Sequence, residues 1–103
     1  MKAKHSREIW NLRTLERVEF FIDSNLLMQS RIWDKQANFV QYSPIDQSGI
    51  GGITCADSSF GSIFIREGGL IDVTFADSSG QLHLFRSQDD GRTYKEVFGI
   101  LPG

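Results

Sequence analysis

Ile53-Thr54-Cys55-Ala56-Asp57-Ser58-Ser59 returns twenty residues later as Val73-Thr74-Phe75-Ala76-Asp77-Ser78-Ser79. A Gly and an apolar run follow each copy, Gly61-Ser62-Ile63-Phe64-Ile65 in the first and Gly80-Gln81-Leu82-His83-Leu84 in the second. The second copy is one residue shorter before its Gly. Apolar residues alternating with polar ones read as strands. Asp-Ser-Ser reads as a turn, because these short side chains bond their own backbone two residues on. Each unit is therefore expected to be strand, Asp-Ser-Ser turn, strand, with Glu67-Gly68-Gly69 reversing the chain between units. Two successive hairpins make a meander.

The same twofold rhythm extends toward the N-terminus. Val18, Phe20 and Ile22 point one way while Arg17, Glu19 and Asp23 point the other, with Phe21 the exception on the polar face. Asp23-Ser24-Asn25 carries turn chemistry; Leu26, Met28 and Ile32 continue the inward face, with Leu27, Gln29, Arg31 and Trp33 opposite. Asp34 to Ala37 is the next break, Asn38 to Ser43 a short strand, and Pro44 to Gly49 a loop. Gly51 and Gly52 fall where a strand bends or another backbone approaches.

Ser6 to Glu16 reads as a short helix. Ser6 can cap it, Glu8 lies in its first turn, and Ile9, Leu12 and Leu15 form a narrow stripe, although Trp10 and Leu12 also alternate as in a strand. The expected fold is thus α+β, predominantly antiparallel β: about eight short strands in a meander, barrel or sandwich, with one N-terminal helix over the open face. Residues 1–103 make one domain, with a tail and helix over 1–16 and the β-rich body over 17–103.

Charge excludes several functions. Eleven Lys and Arg against 13 Asp and Glu give a net charge of -2, and the basic residues are scattered apart from Lys2, Lys4 and Arg7, so no phosphate-tracking patch is expected and no nucleic-acid partner. Phe20-Phe21-Ile22 and Leu26-Leu27-Met28 are far shorter than the roughly 20 apolar residues of a membrane-crossing helix, so no membrane partner is expected. The first residues lack the apolar segment of a secretory signal, and the single Cys55 cannot form an internal disulfide. A reducing compartment, the cytoplasm, is the expected location.

Ser87-Gln88-Asp89-Asp90-Gly91-Arg92-Thr93-Tyr94 resembles the Asp-box, the S-x-D-x-G-x-T-W motif of sialidases and other bacterial-neuraminidase-repeat proteins, with Tyr in place of Trp. The resemblance implies a hairpin turn in which Asp89 accepts backbone amides, Gly91 takes a positive dihedral, Ser87 and Thr93 satisfy local backbone, and Tyr94 plugs the hairpin into the core. In that family the box is structural and remote from catalysis. No set of arginines, acid and Tyr nucleophile transfers to this chain, so the resemblance carries no glycosidase activity, and the chain has room for two propeller blades at most.

The chemistry-bearing residues mostly have plain readings. Cys55 has no His or Lys beside it to lower its pKa and matches Phe75 in the repeat, which suits a buried small hydrophobe. His5 lies in the basic start. His83, between Leu82 and Leu84 but on the opposite face, reads as an outward sheet histidine. Asp57 and Asp77 read as turn caps. Ser48-Gly49-Ile50-Gly51-Gly52 lacks the Lys and following helix of a phosphate loop, and no Cys or His pair has zinc-ligand spacing. No catalytic residue, metal or cofactor is therefore expected.

Aromatics are the surplus. At 12% of the chain they exceed what so small a core needs, and Trp10, Trp33, Phe21, Tyr42 and Phe85 fall on a helix or on polar strand faces. This points to a non-catalytic binding or assembly module acting as a homo-oligomer, with a small-molecule or glycan ligand seated beside Trp10, Trp33, His83 and Arg86. The competing reading is a small pocket enzyme, or a glycan-processing relative of Asp-box proteins, using His83 with a carboxylate.

Overall fold

The computed structural model describes residues 6–45, 55–66 and 69–97. Strands β1 (Ser6–Asn11), β2 (Glu16–Ile22), β3 (Met28–Trp33) and β4 (Phe39–Pro44) form one four-stranded sheet. Strands β5 (Cys55–Arg66), β6 (Leu70–Asp77), β7 (Leu82–Ser87) and β8 (Lys95–Glu96) form a second. Each strand pairs antiparallel with the next, so both sheets are simple meanders.

The two inner faces share one core. Val18, Phe20 and Ile22 of β2, Met28 and Ile32 of β3, and Ile45 meet Ile71, Val73 and Phe75 of β6, Phe85 of β7 and Tyr94. Each such side chain contributes about 1.5–3 kcal/mol when fully removed from water. The alternation seen in β2 is clean, with Val18, Phe20 and Ile22 buried and the residues between them half-buried.

The N-terminal helix is absent; the fold is all-β among the described residues. Ser6–Asn11 is an edge strand paired with β2 in register from Ser6↔Phe21 to Asn11↔Glu16. Of the supposed stripe, only Ile9 packs against the core, while Leu12 (81%) and Leu15 (52%) are exposed in the β1–β2 turn, Leu15 at φ 60°. A stripe of three is too weak to hold a helix in water. Pairing with β2 satisfies the backbone instead.

Three hairpin turns repeat one geometry. At Asp23, Asp34 and Asp77 the Asp amide donates to the carbonyl four residues on, and its carbonyl accepts the amide three residues on. Its Oδ1 accepts the amides two and four residues on at 2.8–3.0 Å. The third residue after the Asp takes positive φ: Leu26 at 63°, Ala37 at 65° and Gly80 at 90°. Leu26, expected inward, is therefore exposed at a turn tip.

The first Asp-Ser-Ser copy does not turn. Residues 57–59 lie within β5, whose surplus length is taken up by register shifts between Cys55 and Phe60 and between Phe60 and Ile63. The one-residue offset supplies the reason. The left-handed position falls on Gly80 in the second copy but on Phe60 in the first, where a bulky side chain is disfavoured. The reversal at 67–69 is described only at Gly69, at φ 80°. His5, Gly51 and Gly52, the 48–52 cluster and Lys2 and Lys4 lie outside the described residues.

Candidate functional site

The outer face of the first sheet is ordered into cross-strand rows by its register. Trp10, Arg17, Trp33 and Phe39 form one row across β1 to β4, and Glu8, Glu19, Arg31 and Tyr42 form the next. Phe21 opposite Gln29 begins a third. The face exists because alternation directs every second residue of these strands away from the core.

Charges on this face are paired within it. Arg17 pairs with Glu8, and Arg31 donates through Nε to Glu19 Oε1 at 3.1 Å. The Trp33 indole N–H donates to the same Glu19 oxygen at 3.3 Å. The Arg31 guanidinium lies 4.2 Å from the Phe21 ring centre, and that of Arg17 lies 5.4 Å from Trp33. Trp33 meets Phe39 edge-on at 5.5 Å. With guanidiniums and carboxylates neutralising one another, the rings of Trp10 (57% exposed), Phe39 (56%) and Tyr42 (48%) are left as the outermost surface.

His83 lies on the core side of β7, not outward. Its partner in register is Phe75, on which its ring stacks at 5.6 Å. Nδ1 lies 2.5 Å from Glu96 Oε2 and Nε2 2.8 Å from Asp77 Oδ2, so β6, β7 and β8 are clasped by one imidazole. Burial alone would lower its pKa, but the bonds to Glu96 and then Asp77 outweigh it and raise the pKa. Asp77 is held well below the carboxylate range by the Ser79 hydroxyl first and His83 second. An imidazolium donating from both nitrogens keeps no lone pair with which to accept a proton.

Phe85 is likewise a core residue, stacked on Phe75 at 5.6 Å, because the Val73↔Phe85 register sets which side of β7 faces inward. Arg86 lies on the opposite, outer side. Its Nε and Nη2 donate to Asp72 Oδ1 and Oδ2 at 2.7 and 3.1 Å. Beside it an open groove of about 380 Å³ is lined by Arg86, Gln88, Asp89, Thr93, Lys95 and Val97.

The structure thus gathers Trp10 and Trp33 on one side of the molecule, Arg86 on the other and His83 at the rim of the core between them. No single cleft holds all four. Sequence reasoning missed Arg17, Glu19, Arg31 and Phe39 as members of the aromatic face. Their signal is register, which shows only once β1 is recognised as a strand. Lys95 and Gln88 of the groove belong to no motif, and only the Arg86↔Lys95 register brings Lys95 beside Arg86.

The turn from Ser87 to Tyr94 is a dense network. Ser87 Oγ accepts the Gly91 amide at 2.8 Å and donates to Asp89 Oδ1 at 2.8 Å. Asp89 accepts the Thr93 amide at 2.9 Å and the Thr93 hydroxyl at 2.6 Å. Gly91 has φ 89° and Asp90 φ 61°. Tyr94 is buried edge-on to Phe20 at 6.2 Å, and burial pushes its hydroxyl pKa up.

Asp90 and Arg92 leave this turn for the other sheet. Asp90 accepts from Asn11 Nδ2 at 3.0 Å and Arg13 Nε at 3.1 Å; Arg92 grips Glu16. Hydrogen bonds from Arg13 hold the Asp90 pKa down, and those from Arg92 do the same for Glu16.

The residues define a two-sheet antiparallel β protein with an aromatic outer face. No protein-family model, curated protein or solved structure matches the chain. Among the described residues no group of His, Cys, Asp or Glu is arranged to hold a metal ion, and no helix is long and apolar enough to cross a membrane.

Proposed function

We propose that this chain is a non-catalytic binding and assembly module that associates with a second copy of itself through the outer face of its first sheet. The carrying observation is the exposure of Trp10, Phe39 and Tyr42 together on that face, interleaved with Arg17 and Arg31. Trp, Tyr and Arg are the residues that dominate protein contacts energetically. Two copies related by a twofold axis would each present two arginines and two glutamates already paired, so neither meets an uncompensated like charge.

Size sets the strength. Four strands about 4.8 Å apart and some six residues long present a face of roughly 15 by 20 Å. That is below the roughly 800 Å² per partner of a standard interface, so a micromolar dimer is the expectation.

Sedimentation equilibrium between about 1 and 200 µM tests this, with a monomer–dimer equilibrium expected for the native chain and a monomer for Trp10→Lys combined with Phe39→Lys. A native chain that stays monomeric throughout overturns the reading. The enzymatic alternative asks His83 to exchange a proton. Its two nitrogens are both engaged by carboxylates, so it has the weaker support. We read Ser87 to Tyr94, by its likeness to the Asp-box, as a turn of structural role.

A further inference from the structure

We propose that the groove beside the Ser87–Tyr94 turn is an oxyanion site, taking a small molecule through a carboxylate or phosphate group held between Arg86 and Lys95. It is independent of the self-association face, which lies on the other side of the core.

Three features build it. First, Arg86 and Lys95 are register partners on β7 and β8, which places two cationic side chains on the same outer face of adjacent strands. Second, Arg86 is held in place from behind. Asp72, itself buried, takes Nε and Nη2 and leaves Nη1 with no partner among the described residues. A guanidinium fixed in this way loses little freedom when an anion arrives. Lys95 is exposed and has no ion pair among the described residues.

Third, the acid in the groove wall is already engaged. Asp89 accepts the Ser87 hydroxyl, the Thr93 amide and the Thr93 hydroxyl, so its charge is spread over three donors within the turn. Gln88 adds a neutral amide donor to the wall and Val97 an apolar side. At about 380 Å³ the groove falls at the small end of the roughly 300–1,000 Å³ range of small-molecule sites. The Nη1 donors that Asp72 leaves open, beside the ammonium of Lys95, offer N–H groups and positive charge to the oxygens of a carboxylate or a phosphate.

Replacing Arg86 would remove the guanidinium that pairs with the buried Asp72 and so disturb the fold as well as the groove, so Lys95 is the residue to vary. The probes are inorganic phosphate and sodium acetate, titrated to about 50 mM against sodium chloride at matched ionic strength, and read by amide and Arg Nε shifts in heteronuclear NMR. Saturable shifts confined to Arg86, Gln88, Thr93 and Lys95 are expected with one or both probes, with millimolar affinity for so small an anion. Lys95→Met should weaken binding about five-fold, while Lys35→Met, on an exposed turn far along the chain, should leave it unchanged. Phosphate alone, acetate alone or both would each support the site and name its preferred oxyanion. Shifts reproduced by chloride, shifts that do not saturate, or an equal loss in Lys35→Met would overturn it.

Discussion

Arg92 forks onto Glu16, with Nη1 2.7 Å from Oε1 and Nη2 2.9 Å from Oε2. The pair joins the β7–β8 turn of one sheet to the first residue of β2 in the other. Bidentate pairing of this kind is among the stronger charged contacts, and Glu16 is largely sheltered from solvent. Arg92→Met and Glu16→Gln should each cost about 1–3 kcal/mol in urea unfolding, and the double variant less than their sum. Additive losses would mean that the two side chains do not communicate.

The same latch should weaken in acid. The Glu16 and Asp90 carboxyls are both held below their ordinary values, by Arg92 and by Arg13 respectively. Their contribution is whole above the unfolded carboxylate pKa of about 4 and is lost as pH falls through the lower folded values. Urea midpoints should therefore drop steeply below about pH 4, and less steeply in the Glu16→Gln variant.

His83 acts at the other end of the pH scale. Its folded pKa is raised, so its clasp on Asp77 and Glu96 stabilises fully below the unfolded value of about 6.5 and is lost as pH rises through the folded one. Stability should fall in the native chain as pH rises above the unfolded value of about 6.5 and stay level there in His83→Gln. Equal slopes for the two proteins would show that the imidazole is not charged when clasped.

The strands that alternate strongly were legible, and the ones decided by pairing were not. In β2, Val18, Phe20 and Ile22 leave only one face to bury. From β1 into the turn after it, Ile9, Leu12 and Leu15 satisfy a helical period while Trp10 and Leu12 satisfy a twofold one. The β2 edge decides between them, and no local spacing records that edge. β7 is harder still, because Leu82 and Leu84 are as apolar as Phe85, and only the register with Val73 turns Phe85 and His83 inward. Turn chemistry was legible at Asp23, Asp34 and Asp77. It misled at Asp57, where Phe60 occupies the position that Gly80 fills in the second copy. At the candidate surface, alternation marked Trp33, Phe21 and Tyr42 one by one, with Trp10 assigned to the helix that is absent. Their assembly into rows with Arg17 and Phe39 is a property of four paired strands.

The shared turn geometry makes the left-handed position a place to gain stability. Leu26 and Ala37 sit at φ 63° and 65°, where a side chain costs about 1–2 kcal/mol that glycine avoids. Glycine's greater freedom in the unfolded chain returns about 0.5–1 kcal/mol of that. Leu26→Gly and Ala37→Gly should each stabilise the protein by about 0.5–1 kcal/mol, because both positions are exposed and neither belongs to the core. A loss of stability in both would mean that the Asp side chains, not the dihedral, set the energy of these turns.

Gly80 and Gly91 separate backbone strain from crowding. Both have φ near 90°, at 90° and 89°, so an alanine at either meets the same dihedral cost of about 1 kcal/mol. Around Gly80 a Cβ would find nothing within 4 Å. At Gly91 it would lie 3.2 Å from Tyr94 Oη and 3.4 Å from Ile71 Cδ1, both in the packed centre between the sheets. Tyr94 cannot swing aside without leaving Phe20, so the crowding adds about 1–2 kcal/mol. Gly91→Ala should therefore lower the unfolding free energy by about 2–3 kcal/mol and Gly80→Ala by about half as much or less. Equal losses would mean that the Tyr94 ring is less firmly seated between the sheets than its burial implies.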